Sequence, residues 1–354
     1  MTDIGAALAE AHRRDWAQVL ATTVRVTRDL DLAEECTQEA YAQALITWRS
    51  TGIPEKTGAW LTRVALTARL VCGLSTAEIA RAFLVPEATM AARLTRAKKK
   101  IATARIPYRV PADDQLAERL GPVLDVIHLL FTTGHTAPAG PALIRHDLVT
   151  GAIDLARTLH LLMPRTAPAG ALLALLLITD ARRAARVAAD GRLLLLAEQD
   201  RTLWNHRQIA EGTALLTDAL RRHPPTRYAV EAAIAAVHAE APAWEATDWT
   251  EIAGLYDVLL RLCPGSPVIA LNRAVAVGFR DGPAAGLAAT EPLLSEPSLA
   301  TYPYLSATRA DFLRRLGREA EAAAAYQEAL ALTGNEIERA FLEVRVSGGW
   351  PEGR

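Results

Sequence analysis

Cysteine is scarce and scattered in this chain. Its 354 residues hold three, Cys36, Cys72 and Cys263. That is an odd number, too widely spaced for a disulfide framework or a CxxC zinc pattern. A reducing compartment follows, so a cytoplasmic location is expected. Aromatic residues make up only 5% of the chain, whereas Ala, Leu and Arg abound. Helix formers therefore outweigh strand formers, and an all-α fold is expected. Strand alternation is nearly absent; Arg192-Leu193-Leu194-Leu195-Leu196-Ala197 is the best exception, a short strand or a buried turn. Long apolar runs are lacking too. The most apolar stretch, Ala167 to Thr179, spans about 13 residues and contains Pro168 and Gly170, whereas a membrane span needs about 20. It reads as a buried helix. The N-terminus has neither the basic start nor the apolar core of a signal peptide, and no membrane partner is expected.

The motifs of common catalytic sites are missing as well. There is no GxGxxG, P-loop, GxSxG or HExxH string. His128, His135, His146 and His160 fall on different turns without metal-ligand spacing, and His128 reads as a core histidine. Cys36 lies on an apolar stripe with Leu32, Ala40 and Ala44 and reads as core packing. No catalytic residue, metal or cofactor is expected, and the chain is not read as an enzyme. Asp180-Ala181-Arg182-Arg183 sets an acid beside two bases, a candidate buried salt-bridge corner.

Net charge is close to absent, at −1, yet the charges are segregated. Residues 1–60 carry 6 Lys/Arg and 9 Asp/Glu, a net of −3. Residues 61–110 carry 10 Lys/Arg and only Glu78 and Glu87, a net of +8. The remainder is acidic, with a net of −6. A basic segment that dense is either a footprint for a polyanion or a solvated helix face.

Its periodicity favours the first. Ser75-Thr76-Ala77-Glu78 fits a capping box. Ile79, Ala80 and Phe83 then form a short apolar face. Leu84-Val85 make a turn, and Pro86 stands where a first helical position is expected. Met90, Leu94, Ala97 and Ile101 form one buried stripe of the second helix. A short helix, a tight turn and a basic helix make a helix-turn-helix, whose second helix enters the major groove. Glu87, Thr89 and Met90 stand near its start, within reach of base edges. Arg93, Arg96, Lys98, Lys99 and Lys100 are placed for phosphates, which position without specifying.

The strings Gly73-Leu74-Ser75-Thr76, Glu78-Ile79-Ala80, Val85-Pro86-Glu87, Thr89-Met90 and Arg93-Leu94, with Arg96-Ala97-Lys98, resemble region 4 of an extracytoplasmic-function sigma factor. The resemblance implies recognition of a promoter −35 element and contact with core RNA polymerase. Upstream, Asp31-Leu32-Ala33-Glu34-Glu35-Cys36-Thr37-Gln38-Glu39-Ala40-Tyr41 resembles the first part of region 2 of the same family. There an acidic helix binds the polymerase clamp, which implies polymerase-binding roles for Asp31, Glu34, Glu35, Gln38 and Glu39; a plain solvated face is the alternative. In the family, Gly58-Ala59-Trp60-Leu61-Thr62 leads into a helix that reads and melts the −10 element. Here Thr62-Arg63 runs straight into Val64-Ala65-Leu66, which already resembles the opening of region 4. Phe83 is the one aromatic between Leu61 and Ile106, so this stretch offers no platform for stacking unpaired bases. The chain is either a natural or artificial deletion, or a sigma relative that does not open promoters alone.

Ile106-Pro107-Tyr108-Arg109-Val110-Pro111 breaks the helical pattern and marks a linker. Helices are expected beyond it at Leu116–Phe131, Pro141–Leu162, Ala169–Ala188, Asn205–Arg222, Arg227–Ala239 and Trp249–Leu262. Ala310, Leu313, Gly317, Ala322, Tyr326 and Ala329 follow the small-and-large spacing of a tetratricopeptide unit. An earlier unit starts near Ala270, and Ala274 precedes Ala310 by close to the ~34-residue period. Such arrays present concave surfaces to proteins or peptides; alternatively this one only stabilises the chain. His128 to Ala137, Asp180 to Arg186 and Asp200 to Asn205 resemble the long extension of one sigma subgroup, which implies control of sigma activity through an unknown protein or ligand. The expected organisation is residues 1–62 as a partial region 2, 63–106 as region 4 and 107–354 as the helical extension.

Overall fold

The computed structural model describes residues 116–348, together with Val19, Ala77, Ala80 and residues 86–89. The chain divides into two compact units. One comprises Met1–Thr133 with Thr150–Ala152, the other Gly134–Val149 with Ile153–Arg354. The fold is all-α, as the composition implies. Among the described residues the regular structure is α-helix and short 3-10 turns, joined by one pair of two-residue strands.

Helix α1 spans Leu116–His135, strand β1 Ala139–Gly140, α2 His146–Leu162 and α3 Ala167–Asp180. Helices α4 (His206–Arg222), α5 (Arg227–Glu240), α6 (Trp249–Leu262) and α7 (Pro267–Arg280) follow. Then come α8 (Pro283–Thr290), α9 (Pro303–Arg315), α10 (Glu319–Leu332), β2 (Gly334–Asn335) and α11 (Glu336–Val346). Several starts are set by side-chain caps, which satisfy amides that have no partner inside the helix. The Asn205 carboxamide accepts from the Gln208 amide at 3.1 Å. Asp248 accepts from the Glu251 amide at 2.8 Å.

The apolar run at Ala167 forms α3, buried on every side except at Pro168 and Thr179. A helix apolar all round belongs inside a core, and α4 and α5 both pack against it. Two expected boundaries move furthest. The helix expected from Pro141 starts at His146, because residues 136–145 form a closed loop. In that loop the Ala137 amide donates to Leu143 O at 2.7 Å and the Arg145 amide to Gly134 O at 2.8 Å. The helix expected to reach Ala188 stops at Asp180. The Asn205 amide takes the Ala181 carbonyl at 2.8 Å, and the Ala185 amide turns to Arg182 O at 3.0 Å, starting a 3-10 turn. The segment at Arg192 is a turn, with a single antiparallel bridge between Val187 and Leu193 and a 3-10 turn at Leu196–Glu198.

From α5 onward, successive helices pack on their chain neighbours through to α11. Val230, Ile252, Leu259 and Ile269 fill the space between α5, α6 and α7. Further on, Ala310, Tyr326, Ala329 and Leu342 join α9, α10 and α11. The large and small positions singled out in the tail, Ala310, Leu313, Ala322, Tyr326 and Ala329, are all buried, as is Ala274. Gly317 makes the turn between α9 and α10 with φ +74°, a left-handed conformation that glycine adopts without a Cβ penalty.

Candidate functional site

Two places bear on function. The first is the start of the basic helix. Residues 87–89 are helical, one position later than the expected first turn at Pro86. The Thr89 amide donates to Pro86 O at 2.9 Å. Glu87 and Ala88 are exposed, Thr89 is half-buried and Ala80 is buried. Glu87 thus stands accessible on the opening turn. Met90, Arg93, Arg96, Lys98, Lys99 and Lys100 lie outside the described residues. So do Asp31, Glu34, Glu35, Gln38 and Glu39, and Cys36.

The second place is in the unit that holds residues 153–354, where its first and last segments meet. Strands β1 and β2 pair in parallel, Ala139 with Gly334 and Gly140 with Asn335. The Asn335 side chain is fully buried. Its amide nitrogen donates to Ala137 O at 3.1 Å and Ala142 O at 2.8 Å. Its oxygen caps α11, accepting from the Ile337 and Glu338 amides at 3.0 and 3.2 Å. All of its hydrogen-bonding capacity is used.

The strings around His135 and Asp180 meet beside this closure, and the string around Asp200 joins the second of them through Asn205 and Ala181. The Arg186 guanidinium donates to His135 O and, at 3.0 Å, to the Thr136 hydroxyl. Burial, together with the nearby Arg186, Arg182 and Arg183, holds the His135 imidazole well below its usual pKa, so it is neutral. Glu338 accepts from the Tyr304 hydroxyl at 2.7 Å. Burial raises the Glu338 pKa, while the Tyr304 hydroxyl and the Arg186 charge oppose that rise.

The acid-base corner at Asp180 forms, but with one arginine rather than two. Asp180 is buried and holds Arg183 in a two-point pair at 2.6 and 2.7 Å. It also accepts from the Gln208 side-chain amide at 3.0 Å. Arg183 reaches the His146 imidazole at 3.2 Å. Arg182 is not part of the pair. The corner ties the end of α3 to α4 and α2, a structural arrangement of satisfied charges. Among the described residues no group of His, Cys, Asp and Glu is placed to hold a metal ion, and no helix is long and apolar enough to cross a membrane.

Asn335, Tyr304 and Glu338 carried no catalytic or binding motif. The available signal was local: Asn335-Glu336-Ile337-Glu338 reads as an N-cap with acids in the first turn.

Residues 60–101 match the family model for sigma-70, region 4, which is a helix-turn-helix. This is the basic segment that holds Glu87 and Thr89. Residues 119–220 match a family of unknown function, DUF6596. They include α2, α3 and the Asp180 corner. The chain is also 38% identical, over 394 aligned positions, to the uncharacterized protein R00370 of Rhizobium meliloti (strain 1021). That match takes in 93% of this chain and 92% of the relative. Because the alignment is longer than this 354-residue chain, it crosses gaps on this side. With a sigma-70 region 4 segment placed ahead of a helical unit, the chain is sigma-factor-like and DNA-binding in character, and it belongs to the family of that Rhizobium protein.

Proposed function

We propose that this chain is a transcription initiation protein of the extracytoplasmic-function sigma type. In this reading it binds core RNA polymerase through the acidic helix of residues 29–41 and a promoter −35 element through residues 75–100. Residues 1–62 are the partial region 2, residues 63–106 region 4, and residues 107–354 a tetratricopeptide-like extension that controls the activity. The observation that carries the reading is the coincidence of two signals. The region 4 family match at residues 60–101 covers most of the 61–110 stretch whose net charge is +8. Base-reading falls to Glu87, Thr89 and Met90, and phosphate contacts to Arg93, Arg96 and the three lysines.

A second reading has its own support. The region between Leu61 and Ile106 has a single aromatic, Phe83, and the match to the Rhizobium protein crosses gaps in this chain. The first agrees with loss of a segment that melts the −10 element, the second with a segment that the relative has and this chain lacks. On that reading the chain is a helical-repeat interaction scaffold with a vestigial DNA-binding module.

Promoter-directed transcription with purified core polymerase separates the two. The sigma reading expects a stable complex with core and transcripts from a −35-bearing template, on linear DNA or on a pre-opened bubble. Transcripts only from the bubble locate the defect at melting. Duplex binding with no core complex and no transcript from either template rejects it.

A further inference from the structure

The 3-10 segments between α3 and α4 bring two arginines onto one indole. The Arg201 guanidinium lies 4.4 Å from the Trp204 ring centroid, and that of Arg182 lies 5.9 Å from it. Arg201 uses one nitrogen, Nη1, to cap the end of α5, donating to His238 O at 2.9 Å and Ala241 O at 2.8 Å. Its other terminal nitrogen is buried with no hydrogen-bond partner, as are Trp204 Nε1 and His238 Nδ1. Arg182 makes no hydrogen bond or ion pair among the described residues. Arg182 is half-buried; burial pulls its pKa down to about 10, and the nearby charges that act on it, Arg186 and Arg201, are both positive. Glu245 is the acid that acts on Arg201.

An Arg182 without an acceptor, beside an Arg201 that leaves one buried nitrogen unpaired, is costly, because buried charge calls for a partner and buried donors call for acceptors. Ion pairs answer that need elsewhere in this unit, at Asp180–Arg183 and Arg309–Glu291. Here none does. His238 and Leu196 join this cluster to a cavity of about 210 Å³, walled by Trp244, Trp249, Tyr256 and Phe279. Trp249 and Phe279 stack at 4.4 Å, and Trp244 meets both edge-on. The His238 ring lies 5.3 Å from Trp249. Sites for small molecules combine an apolar wall with a few converging polar groups.

We propose that this cavity and the Arg182–Arg201 pair form one binding site for a small organic anion with a flat, apolar body. The carboxylate or phosphate group sits at Arg182 and Arg201, as planar guanidinium groups favour. The body lies against Trp249 and Phe279. The site belongs wholly to the unit of residues 153–354 and stands whether or not the chain initiates transcription.

The test uses the full chain, with tryptophan fluorescence and calorimetry as readouts. The probes are benzoate, phenyl phosphate, their neutral twin benzamide, and inorganic phosphate. Saturable binding of benzoate or phenyl phosphate is expected at least about tenfold tighter than that of benzamide or inorganic phosphate. Which of the two anions binds better identifies the acidic group. Arg182→Gln should weaken the anion about tenfold or more and leave benzamide unchanged. Val275→Leu, which narrows the cavity, should weaken the aromatic anion and leave inorganic phosphate unchanged. The proposal is overturned if no anion saturates up to about 10 mM. Equal binding of benzamide and benzoate to the wild-type chain overturns it as well. So does inorganic phosphate binding as tightly as phenyl phosphate, because the cavity then plays no part. These wild-type comparisons decide the matter even where a variant fails to fold.

Discussion

The side-chain amide of Asn335 donates to the carbonyl of Ala137, 198 positions earlier in the chain, at 3.1 Å. One buried carboxamide therefore serves two tasks: it joins the first and last segments of a unit and it caps α11. Replacing Asn335 with Ala leaves the Ala137 and Ala142 carbonyls without that donor and removes the cap. A lost cap costs about 1 kcal/mol, and a buried carbonyl without a donor about 1–3 kcal/mol. Asn335→Ala should lower unfolding stability by ~2–4 kcal/mol in urea titration. Asn335→Asp keeps the cap but aims a carboxylate at two carbonyls, so it should be no milder. A loss below ~0.5 kcal/mol for both variants would mean that β1 and β2 hold the closure without this side chain.

Phe312 is buried where α7 and α8 cross. A Cβ added at Gly278 would come within 2.4 Å of two Phe312 ring atoms. One added at Gly286 would meet the Gly278 Cα at 2.7 Å as well as the ring. The two glycines thus differ in what blocks them. Overpacking of this kind costs about 1–3 kcal/mol. Gly278→Ala should destabilise by that amount and be largely rescued by Phe312→Leu, which removes the ring. Gly286→Ala should be rescued much less, because backbone blocks it. A double-mutant cycle reads the difference; equal rescue at both positions would contradict the geometry.

How much of this could be read from residue order follows from range. Buried α3 was visible as an apolar run, and the alanines and tyrosine of the tail as a spacing, because periodicity is local. The Asp180 corner was visible as adjacent opposite charges, though not which arginine would take the acid. That choice depends on Gln208 and His146, which come from other helices. The closure at Asn335 and the crossing at Phe312 join segments whose partners no local pattern names. The early stop of α3 had the same origin: its continuation was overruled when the distant Asn205 amide took the Ala181 carbonyl.

His238 gives a pH signature. Burial, then Arg182 and Arg201, lower its pKa to about 4 from an ordinary 6.5. As pH falls below 6.5, the unfolded chain takes up a proton that the folded chain refuses. The stabilisation is complete above pH 6.5 and drains away down to about pH 4, by at most ~3 kcal/mol. His238→Phe, which keeps a ring against Trp249, should flatten that part of the acid slope. The measurement is urea stability of both proteins at pH 7.5 and 4.5. Parallel losses in the two would show that His238 titrates normally.

The basic helix carries the last prediction, which rests on the proposed role of residues 75–100. Each phosphate neutralised by an arginine releases condensed counterions, so the logarithm of the DNA association constant falls with the logarithm of salt by about 0.9 per contact. Arg93→Ala with Arg96→Ala should therefore weaken duplex binding and reduce the salt slope by about 2. Glu87→Ala should behave differently. Glu87 is exposed on the opening turn and stands where base edges are read, so its loss should alter sequence preference and leave the slope nearly unchanged. Binding isotherms at several salt concentrations, on a −35-bearing duplex and a scrambled one, separate the two effects. An unchanged slope for the double arginine variant would remove those side chains from the phosphate backbone. A changed slope without loss of preference in Glu87→Ala would move Glu87 away from the bases.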